Sequence, residues 1–313
     1  MSLKKNNKIL LIVFGILLVL FGVSQIGKLT KGERTFRKDI IEFEGSEISA
    51  IVFNTKGASS QTVELFREDT LWKLKAGNKF FAADQELAKG IADELAFITP
   101  DRLVANKKDL WKEYDVTDSA GVKVSVVGPK KSKVGLVIGR FSYNQSTRKP
   151  STFLRMEGEK EVYAVEGYLS MTLNGDLNNL RDKNLYRGNR NDITRLTFTY
   201  PGDSSFVLTR EGTRWLCDGV PTDSTLMVRY LNEITYLTAN DFRDDFQSSA
   251  MGTGLYKLKI EGVNIPMTDL TVYEDPSGQV IGSSANPSTW FAADKENFIQ
   301  RVFKGKTFFV PKS

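Results

Sequence analysis

Side chains that could catalyse a reaction or bind a metal are scarce in this sequence of 313 residues. It contains no histidine, the commonest general base and metal ligand near neutral pH. Serine–histidine, cysteine–histidine and histidine–zinc chemistries are therefore excluded. The single cysteine, Cys217, cannot form a disulfide within the chain. Because Cys217 follows Trp215 in a strand-like stretch without basic neighbours that would activate it, we predict a buried, unreactive thiol.

The hydroxyl and acidic motifs do not assemble a recognisable active site. Residues 150–153 and 287–290 read Pro-Ser-Thr followed by an aromatic residue, but neither serine has a base or an oxyanion site that can be named. We interpret each motif as a proline at an edge strand whose hydroxyl groups are solvated or bonded in a turn. The pair Asp244-Asp245 offers two carboxylates for hydrolysis or calcium, and we interpret it as a solvated turn.

Cofactor and ligand motifs are equally sparse. The sequence contains no complete glycine-rich phosphate loop, of either the Gly-x-x-x-x-Gly-Lys-Ser/Thr or the Gly-x-Gly-x-x-Gly type. Trp72 and Trp215 could stack on a sugar, but their equivalent places in two hairpins favour packing between strand and helix. The sequence therefore predicts no catalytic residue, no cofactor, no cofactor-binding residue and no metal ligand.

The distribution of charge excludes nucleic acid as a partner. The chain has 43 basic and 38 acidic residues, and the first 38 residues carry a net charge of +7 while the remainder carries −2. Phosphate neutralisation provides most of the affinity of nucleic-acid-binding proteins. A folded part without excess positive charge does not fit that class.

An apolar stretch near the N-terminus predicts a membrane anchor. Residues 9–26 are 18 residues without a charge, and a helix of that length spans about 27 Å of a hydrocarbon core about 30 Å thick. A cleaved signal peptide is the alternative, but Gly22-Val23-Ser24-Gln25 is a poor small-x-small cleavage site and the apolar run exceeds a usual signal-peptide core, so a retained anchor is favoured. The predicted segments are a basic tail at 1–8, a transmembrane helix at 9–26 and a juxtamembrane linker at 27–44.

The basic residues on both sides of this stretch bear on its orientation. Three lysines precede it and five basic residues follow it closely, which by the positive-inside rule favours a cytoplasmic main domain. A short basic N-terminus before a first apolar segment nevertheless resembles an export signal. We predict a single-pass inner-membrane protein with an extracytoplasmic (periplasmic) main domain, and a cytoplasmic domain is the alternative.

The rest of the chain repeats one order of landmarks about 140 residues apart, which indicates an internal duplication. Each copy has a hairpin with a tryptophan, an aspartate before an amphipathic helix, an Ile-Gly strand and a Pro-Ser-Thr-aromatic motif. We predict an α+β fold of two repeated units, each made of a hairpin, a helix and antiparallel strands. The first unit spans residues 45–180 and the second spans residues 181–313.

The two helices are predicted from apolar residues at spacings of four, four and three. They are Leu87, Ile91, Leu95 and Ile98 in the first unit, and Leu226, Tyr230, Ile234 and Leu237 in the second. Asp84 and Asp223 come just before these helices, where a carboxylate accepts hydrogen bonds from the first amides. We predict that both are N-caps, each contributing about 1 kcal/mol, rather than catalytic acids.

Five short motifs then resemble those of a known family. They are Trp72, Asp84, the turn Tyr114-Asp115-Val116, the strand Ile138-Gly139 and the link Leu180-Arg181-Asp182-Lys183. Over nearly its whole length the chain resembles a bacterial envelope family named domain of unknown function 4340. The turn departs from the family's Tyr-Gly-Leu type in this copy, and Gly254-Leu255 fits it better in the second copy.

The resemblance implies an association with auxiliary subunits of ABC transporters of the gliding-motility type, and it brings no catalytic residues. Tripeptides that begin at Asp69, Asp118 and Asp223 look like the O-glycosylation signal of Bacteroidetes, which is consistent with the same lineage.

The sequence as a whole predicts a membrane-anchored, non-enzymatic envelope protein that serves as an accessory or interaction subunit of an ABC-transporter-type complex. Its predicted partners are the lipid bilayer, through residues 9–26, and a protein of that complex. The alternative is an extracytoplasmic glycan-binding protein or a hydrolase that uses acidic and aromatic residues.

Overall fold

β-Sheet is the main secondary structure of the described chain. A computed structural model describes Arg37 and residues 39–55, 61–145, 148–173, 176–247, 252–293 and 298–310. Of these residues, 47% lie in strands and 21% in helices.

The elements of the first half surround one long helix. In chain order they are β1 (Ile41–Glu42), β2 (Ala50–Asn54), β3 (Thr62–Glu68), β4 (Leu71–Ala76), β5 (Lys79–Ala82), α1 (Gln85–Ala96), β6 (Phe97–Ile98), β7 (Pro100–Ala105), β8 (Val122–Val127), β9 (Lys133–Asn144), β10 (Lys149–Met156), β11 (Val162–Glu166) and α2 (Leu169–Leu173). Short 3₁₀ segments lie at Gly45–Glu47, Lys108–Tyr114, Pro129–Lys131 and Leu177–Asn179.

The second half follows a similar sequence of elements. They are β12 (Asn184–Arg187), β13 (Ile193–Thr199), β14 (Phe206–Glu211), β15 (Arg214–Cys217), β16 (Val220–Pro221), α3 (Ser224–Ile234), β17 (Tyr236–Thr238), β18 (Tyr256–Gly262), β19 (Thr268–Asp275), β20 (Gly278–Ser283), β21 (Asn286–Ala292), α4 (Phe298–Val302) and α5 (Lys306–Phe309).

The two large sheets share one strand order. The first runs β5-β4-β3-β2-β8-β9-β10-β11, with β7 added as a ninth strand beyond β11. The second runs β16-β15-β14-β13-β18-β19-β20-β21. A two-stranded sheet accompanies each, β1 with β6 and β12 with β17. The positions of side chains in the two halves can therefore be compared strand by strand.

Each sheet buries one face against its long helix. Strand β4 alternates, so that Trp72, Leu74 and Ala76 are buried while the residues between them are more exposed, as expected for a strand with one face on the core. Helix α1 contacts β4, and α3 contacts β15. Ile40 and Ile41, which lie inside the predicted 27–44 linker, belong to the first core.

The helical N-caps are confirmed, and the predicted C-terminal ends of the helices are corrected. The Leu87 amide donates to Asp84 Oδ1 at 3.0 Å, and the Leu226 amide donates to Asp223 Oδ1 at 2.9 Å. Ile98 and Leu237, predicted as the last apolar positions of the helices, lie instead in β6 and β17. Both are buried, because these short strands pack their apolar side chains on the same cores that the helices cover.

The predicted fold class, α+β with an N-terminal transmembrane helix, was wrong, because the described chain is mostly β-sheet. The amphipathic helices have strong periodicity, whereas most strands offer only five to eight residues of alternation, so the sequence does not predict their number. Each large sheet in fact sets eight or nine strands against one helix longer than ten residues. The predicted domain boundaries stay a prediction.

The membrane predictions are also corrected. Within the described residues, every helix is too short or too polar to cross a bilayer. This finding counts against a single-pass protein and an inner-membrane location with a periplasmic main domain. The lipid bilayer as a partner stays a prediction. Residues 9–26, on which those predictions rested, lie outside the described residues.

Candidate ligand-binding cleft

A cleft opens at the same place on both sheets, between the tryptophan hairpin and the long helix. The first cleft, between the β3–β4 hairpin and α1, is lined by Glu44, Arg67, Asp69, Trp72, Lys89 and Asp93 among others. The second cleft, between the β14–β15 hairpin and α3, is lined by Arg190, Arg210, Arg214, Trp215, Val228 and Leu231 among others. Their volumes are about 700 Å³ and 420 Å³. Both lie within the range of small-ligand pockets, about 300–1,000 Å³.

The tryptophans form the inner walls of the two clefts. Trp72 is 3% exposed and Trp215 is 8% exposed, which confirms that they pack between strand and helix. In the first cleft, the Trp72 amide donates to Gln85 Oε1 at 2.8 Å, and Gln85 Nε2 donates to the Trp72 carbonyl at 2.9 Å. In the second, Thr222 Oγ1 donates to the Trp215 carbonyl at 3.1 Å. Neither ring presents an open face for stacking on a sugar.

One arginine in each cleft holds the loop that precedes the sheet. Arg67 Nη1 donates to the Ser46 carbonyl at 3.1 Å. Arg210 Nη1 donates to the Asn191 carbonyl at 2.6 Å, and its Nε donates to the Gly212 carbonyl at 3.0 Å. These matched contacts align Ser46 with Asn191 in the two halves.

The charged side chains on the rims differ. In the second cleft, Arg190 Nη1 donates to Asn232 Oδ1 at 2.8 Å. Arg214 is exposed at the start of β15 and, within the described part of the chain, it makes no ion pair. In the first cleft, the position of Arg214 is taken by Leu71, because Leu71 and Arg214 each immediately precede the cleft tryptophan.

The net charge of the two rims is opposite. The described residues that line the second cleft include three arginines and neither aspartate nor glutamate. The first cleft is lined by three carboxylates against one arginine and one lysine. On α1 the lysine, Lys89, forms an ion pair with Asp93, so its charge is already compensated. The second cleft is thus suited to an anion and the first is not.

Apolar side chains complete the second cleft. Met227 and Leu231 are buried at its base, while Val228, the residue after Met227 on α3, is 48% exposed. A cavity with an apolar base and a few charged groups at its rim is the usual form of a ligand-binding pocket. The chemistry this arrangement supports is binding, with arginine donors for anionic groups and an apolar surface for the rest of a ligand.

The Pro-Ser-Thr-aromatic motifs contribute to packing rather than to a site. Thr152 is fully buried, and its Oγ1 donates to the Gly167 carbonyl at 3.2 Å. Strand β10 lies between β9 and β11, so the edge-strand interpretation was wrong for this copy. Strand β21 is an edge strand, but Thr289 is buried there and donates to Asn286 Oδ1 at 2.9 Å. Neither threonine hydroxyl is therefore solvated. Thr289 makes a local bond three positions upstream, which fits the alternative of a hydroxyl bonded in a turn, whereas the bond of Thr152 spans 15 positions.

Asp244 and Asp245 form the exposed turn that the sequence predicts, but the side chain of Asp244 also makes a contact distant in sequence. Its two carboxylate oxygens accept from Nη1 and Nη2 of Arg181 at 2.8 and 2.6 Å. Arg181 is 3% exposed, and its guanidinium carbon lies 4.1 Å from the ring centroid of Phe81 and 3.7 Å from that of Phe242. Because Phe81 belongs to β5 of the first sheet, this buried arginine fastens the two halves together.

The thiol of Cys217 behaves as predicted from its sequence context. It is fully buried on β15 and is unbonded to another cysteine. Burial, with a smaller effect of Asp218, raises the pKa of the Cys217 thiol above its ordinary value. Both factors keep it protonated and unreactive near neutral pH. In the described residues, no group of three metal-ligating side chains comes together.

The sequence analysis missed Arg190 and Arg214. A signal was present, because aligning the two tryptophan hairpins sets Leu71 against Arg214, and aligning the two capped helices sets Asp93 against Asn232. The two copies therefore differ in charge at the positions that line the clefts. These differences in charge point to a cleft only when the hairpin and the helix are known to face one another.

The fold and the cleft define a class of mainly antiparallel β proteins built from two sheets of like order, with one cationic cleft. The sequence profile of a family described as a domain of unknown function (DUF4340) matches residues 72–254, and the chain belongs to this family. The matched segment runs from Trp72 of the first cleft through the whole of the second. Neither the curated proteins nor the solved structures contain a match to the chain.

Proposed function

We propose that this protein is a non-enzymatic binding protein that serves as an accessory subunit of an ABC-transporter-type complex, of the gliding-motility kind found in Bacteroidetes-like bacteria. The second cleft is the place where it contacts another protein of that complex. The alternative of a glycan-binding protein is less well supported, because both cleft tryptophans are buried.

The observation that carries this proposal is the construction of the second cleft. Its base is apolar and fixed by the packing of α3 on β15, and its rim presents arginines and the exposed Val228. Arginine and exposed apolar side chains around a pocket are typical of protein-binding surfaces.

Photo-crosslinking in cells tests the proposal. The photoreactive amino acid p-benzoylphenylalanine is placed at Val228, and as a matched control at Tyr143, which is exposed to a similar degree on the first sheet. Illumination is expected to link position 228, but not position 143, to a subunit of an ABC transporter identified by mass spectrometry. The proposal fails if position 228 yields no transporter subunit, or if both positions yield it equally.

A further inference from the structure

We infer that the ligand of the second cleft is an acidic peptide segment with an apolar side chain next to its carboxylates. This inference rests on the proposed function and adds the chemical class of what is bound. It is argued from charge, from the free donors of the arginines and from the apolar base of the cleft.

The positive charge of the second cleft is local rather than a property of the whole chain. Beyond residue 38 the sequence carries a net charge of −2, yet three arginines gather around this one cavity with no carboxylate among its described lining residues. Three arginines at one cavity, in a part of the chain that is otherwise slightly acidic, create a local positive field that attracts and orients an anionic partner. Glu211, which lies opposite Arg214 in the pairing of β14 with β15, offsets part of this field.

The arginines retain donors for a ligand. A guanidinium has five N–H groups. Arg210 spends two of its donors on backbone carbonyls, whereas Arg190 spends one on Asn232. Arg214 is exposed and has no ion-pair partner within the described part of the chain. Arg190 and Arg214 are therefore the side chains that recognise carboxylates, and Arg210 adds charge while holding the loop.

The remaining surface favours a peptide over an acidic sugar. Val228 offers exposed aliphatic surface to an apolar side chain, above the buried Met227 and Leu231 that close the base of the cleft. The hydroxyl of Thr222, which could meet a sugar, already donates to the Trp215 carbonyl. Carboxylates flanking an apolar residue match both the rim and the base, whereas a sugar acid would leave the apolar base unused.

The first cleft lacks the features that would let it bind an acidic peptide. There Leu71 takes the position of Arg214, and Glu44, Asp69 and Asp93 line the cavity. An acidic peptide would meet carboxylates of its own sign, which disfavours binding. The protein is therefore expected to bind one such peptide per chain.

Fluorescence anisotropy with defined peptides tests the inference on the full chain. The probe is a fluorescein-labelled, end-capped peptide with two glutamates flanking a leucine, and its control replaces both glutamates with glutamine. The acidic peptide should bind about tenfold or more tightly than the control, with an affinity that falls as salt rises from about 50 to about 500 mM.

Variants of the rim sharpen the test. The double variant Arg190→Gln/Arg214→Gln should lower the affinity for the acidic peptide about tenfold or more. Arg229→Gln is the matched control, because Arg229 lies on the same helix, is exposed and pairs with Glu233 outside the cleft. It should leave the affinity unchanged. Thermal unfolding of each variant confirms that the fold is retained, as expected for exposed substitutions.

Three results would overturn the inference. They are equal affinity for the glutamate and glutamine peptides, unchanged affinity in the Arg190/Arg214 variant, and tighter binding of an oligogalacturonate than of the acidic peptide. If any of these three results is obtained but position 228 still crosslinks to a transporter subunit, the proposed function is retained and only the ligand class is rejected. Acidic-peptide binding without such a crosslink would instead remove the transporter assignment and keep the ligand class.

Discussion

The first and second clefts lie at the same place on sheets of the same strand order, and they share their inner parts but not their rims. In both, a buried tryptophan packs between hairpin and helix, and an arginine holds the preceding loop by a backbone carbonyl. The rims differ where Leu71 stands in one and Arg214 in the other.

A second rim difference follows from the alignment of Ser46 with Asn191, which sets Gly45 against Arg190. A Cβ at Gly45 would lie 2.0 Å from Asp93 Oδ1, so the helix side chain occupies the space beside this glycine. In the second cleft, Arg190 instead reaches Asn232 at 2.8 Å. Positions that build the fold are alike in the two halves, whereas the aligned rim positions differ in charge, with a neutral residue in one half against a charged residue in the other.

The tryptophans should give the largest effect on stability. Trp72→Ala and Trp215→Ala should each lower the free energy of unfolding by about 3–5 kcal/mol, because each removes a large buried ring and leaves a cavity. Urea denaturation followed by circular dichroism measures both. Leu71→Ala, at an exposed position, is the control and should change stability by about 0.5 kcal/mol or less. If either alanine variant lowers the free energy of unfolding by less than about 1 kcal/mol, the two tryptophans are not structurally equivalent.

Substitution of Arg181 should change the stability of the protein without changing its affinity for an acidic peptide. Arg181→Met should lower the free energy of unfolding by about 2 kcal/mol, because the side chain loses its ion pair with Asp244 and its contacts with two phenylalanine rings. The affinity for an acidic peptide should not change, since Arg181 is outside both clefts. A lower affinity in a folded Arg181→Met variant would show that residues outside the second cleft contribute to peptide binding.

The helix caps should respond alike in the two halves. Asp84→Ala and Asp223→Ala should each cost about 1 kcal/mol, because each leaves a first-turn amide without its acceptor. Asp→Asn at the same positions keeps an acceptor and should cost less. Measured in the same denaturation experiment, a difference above about 1 kcal/mol between the two alanine variants would show that one cap has another role.

One pH effect is expected from an ion pair in the second half, between Lys306 and Asp218, that the first half does not have at the equivalent strand position. Lys306 Nζ lies 2.7 Å from Asp218 Oδ2, and this hydrogen bond, with one from the Val207 amide, holds the pKa of Asp218 below its ordinary value of 3.8. The residue equivalent to Asp218 in the first half is Lys75, and its ammonium lies over the ring of Phe80.

Because the pKa of Asp218 is lowered by folding, its ionised form stabilises the protein above pH 3.8, and this stabilisation is lost as pH falls through the lowered pKa. Asp218→Asn should therefore be less stable than wild type at pH 7, with the gap closing as the pH drops below 3.8. Thermal melts across this range measure it, and a gap that persists at the acid end would contradict the assignment.

The parts of the fold that the sequence predicted are those determined locally. Asp84 and Asp223 precede regular apolar spacings, and Trp72 and Trp215 sit in short hairpins, so neighbouring residues were enough to assign them. The number of strands could not be predicted, because which strands pair depends on contacts distant in sequence.

The candidate site depends on such distant contacts. Arg190 contacts Asn232 across 42 positions, and Arg210 contacts Asn191 across 19. Each arginine looks like an ordinary surface residue when read with its neighbours. Only the packing of α3 on the β14–β15 hairpin brings Arg190, Arg210 and Arg214 to one cavity.

The most direct test compares the two clefts within one molecule. The chain contains four tryptophans, and 5-fluorotryptophan labelling gives each a separate ¹⁹F NMR signal that substitution to phenylalanine assigns. On titration with the acidic peptide, the Trp215 signal should shift to saturation while the Trp72 signal stays in place. A shift of Trp72 equal to that of Trp215, or an unmoved Trp215 signal, would contradict an anion-binding cleft confined to the second sheet.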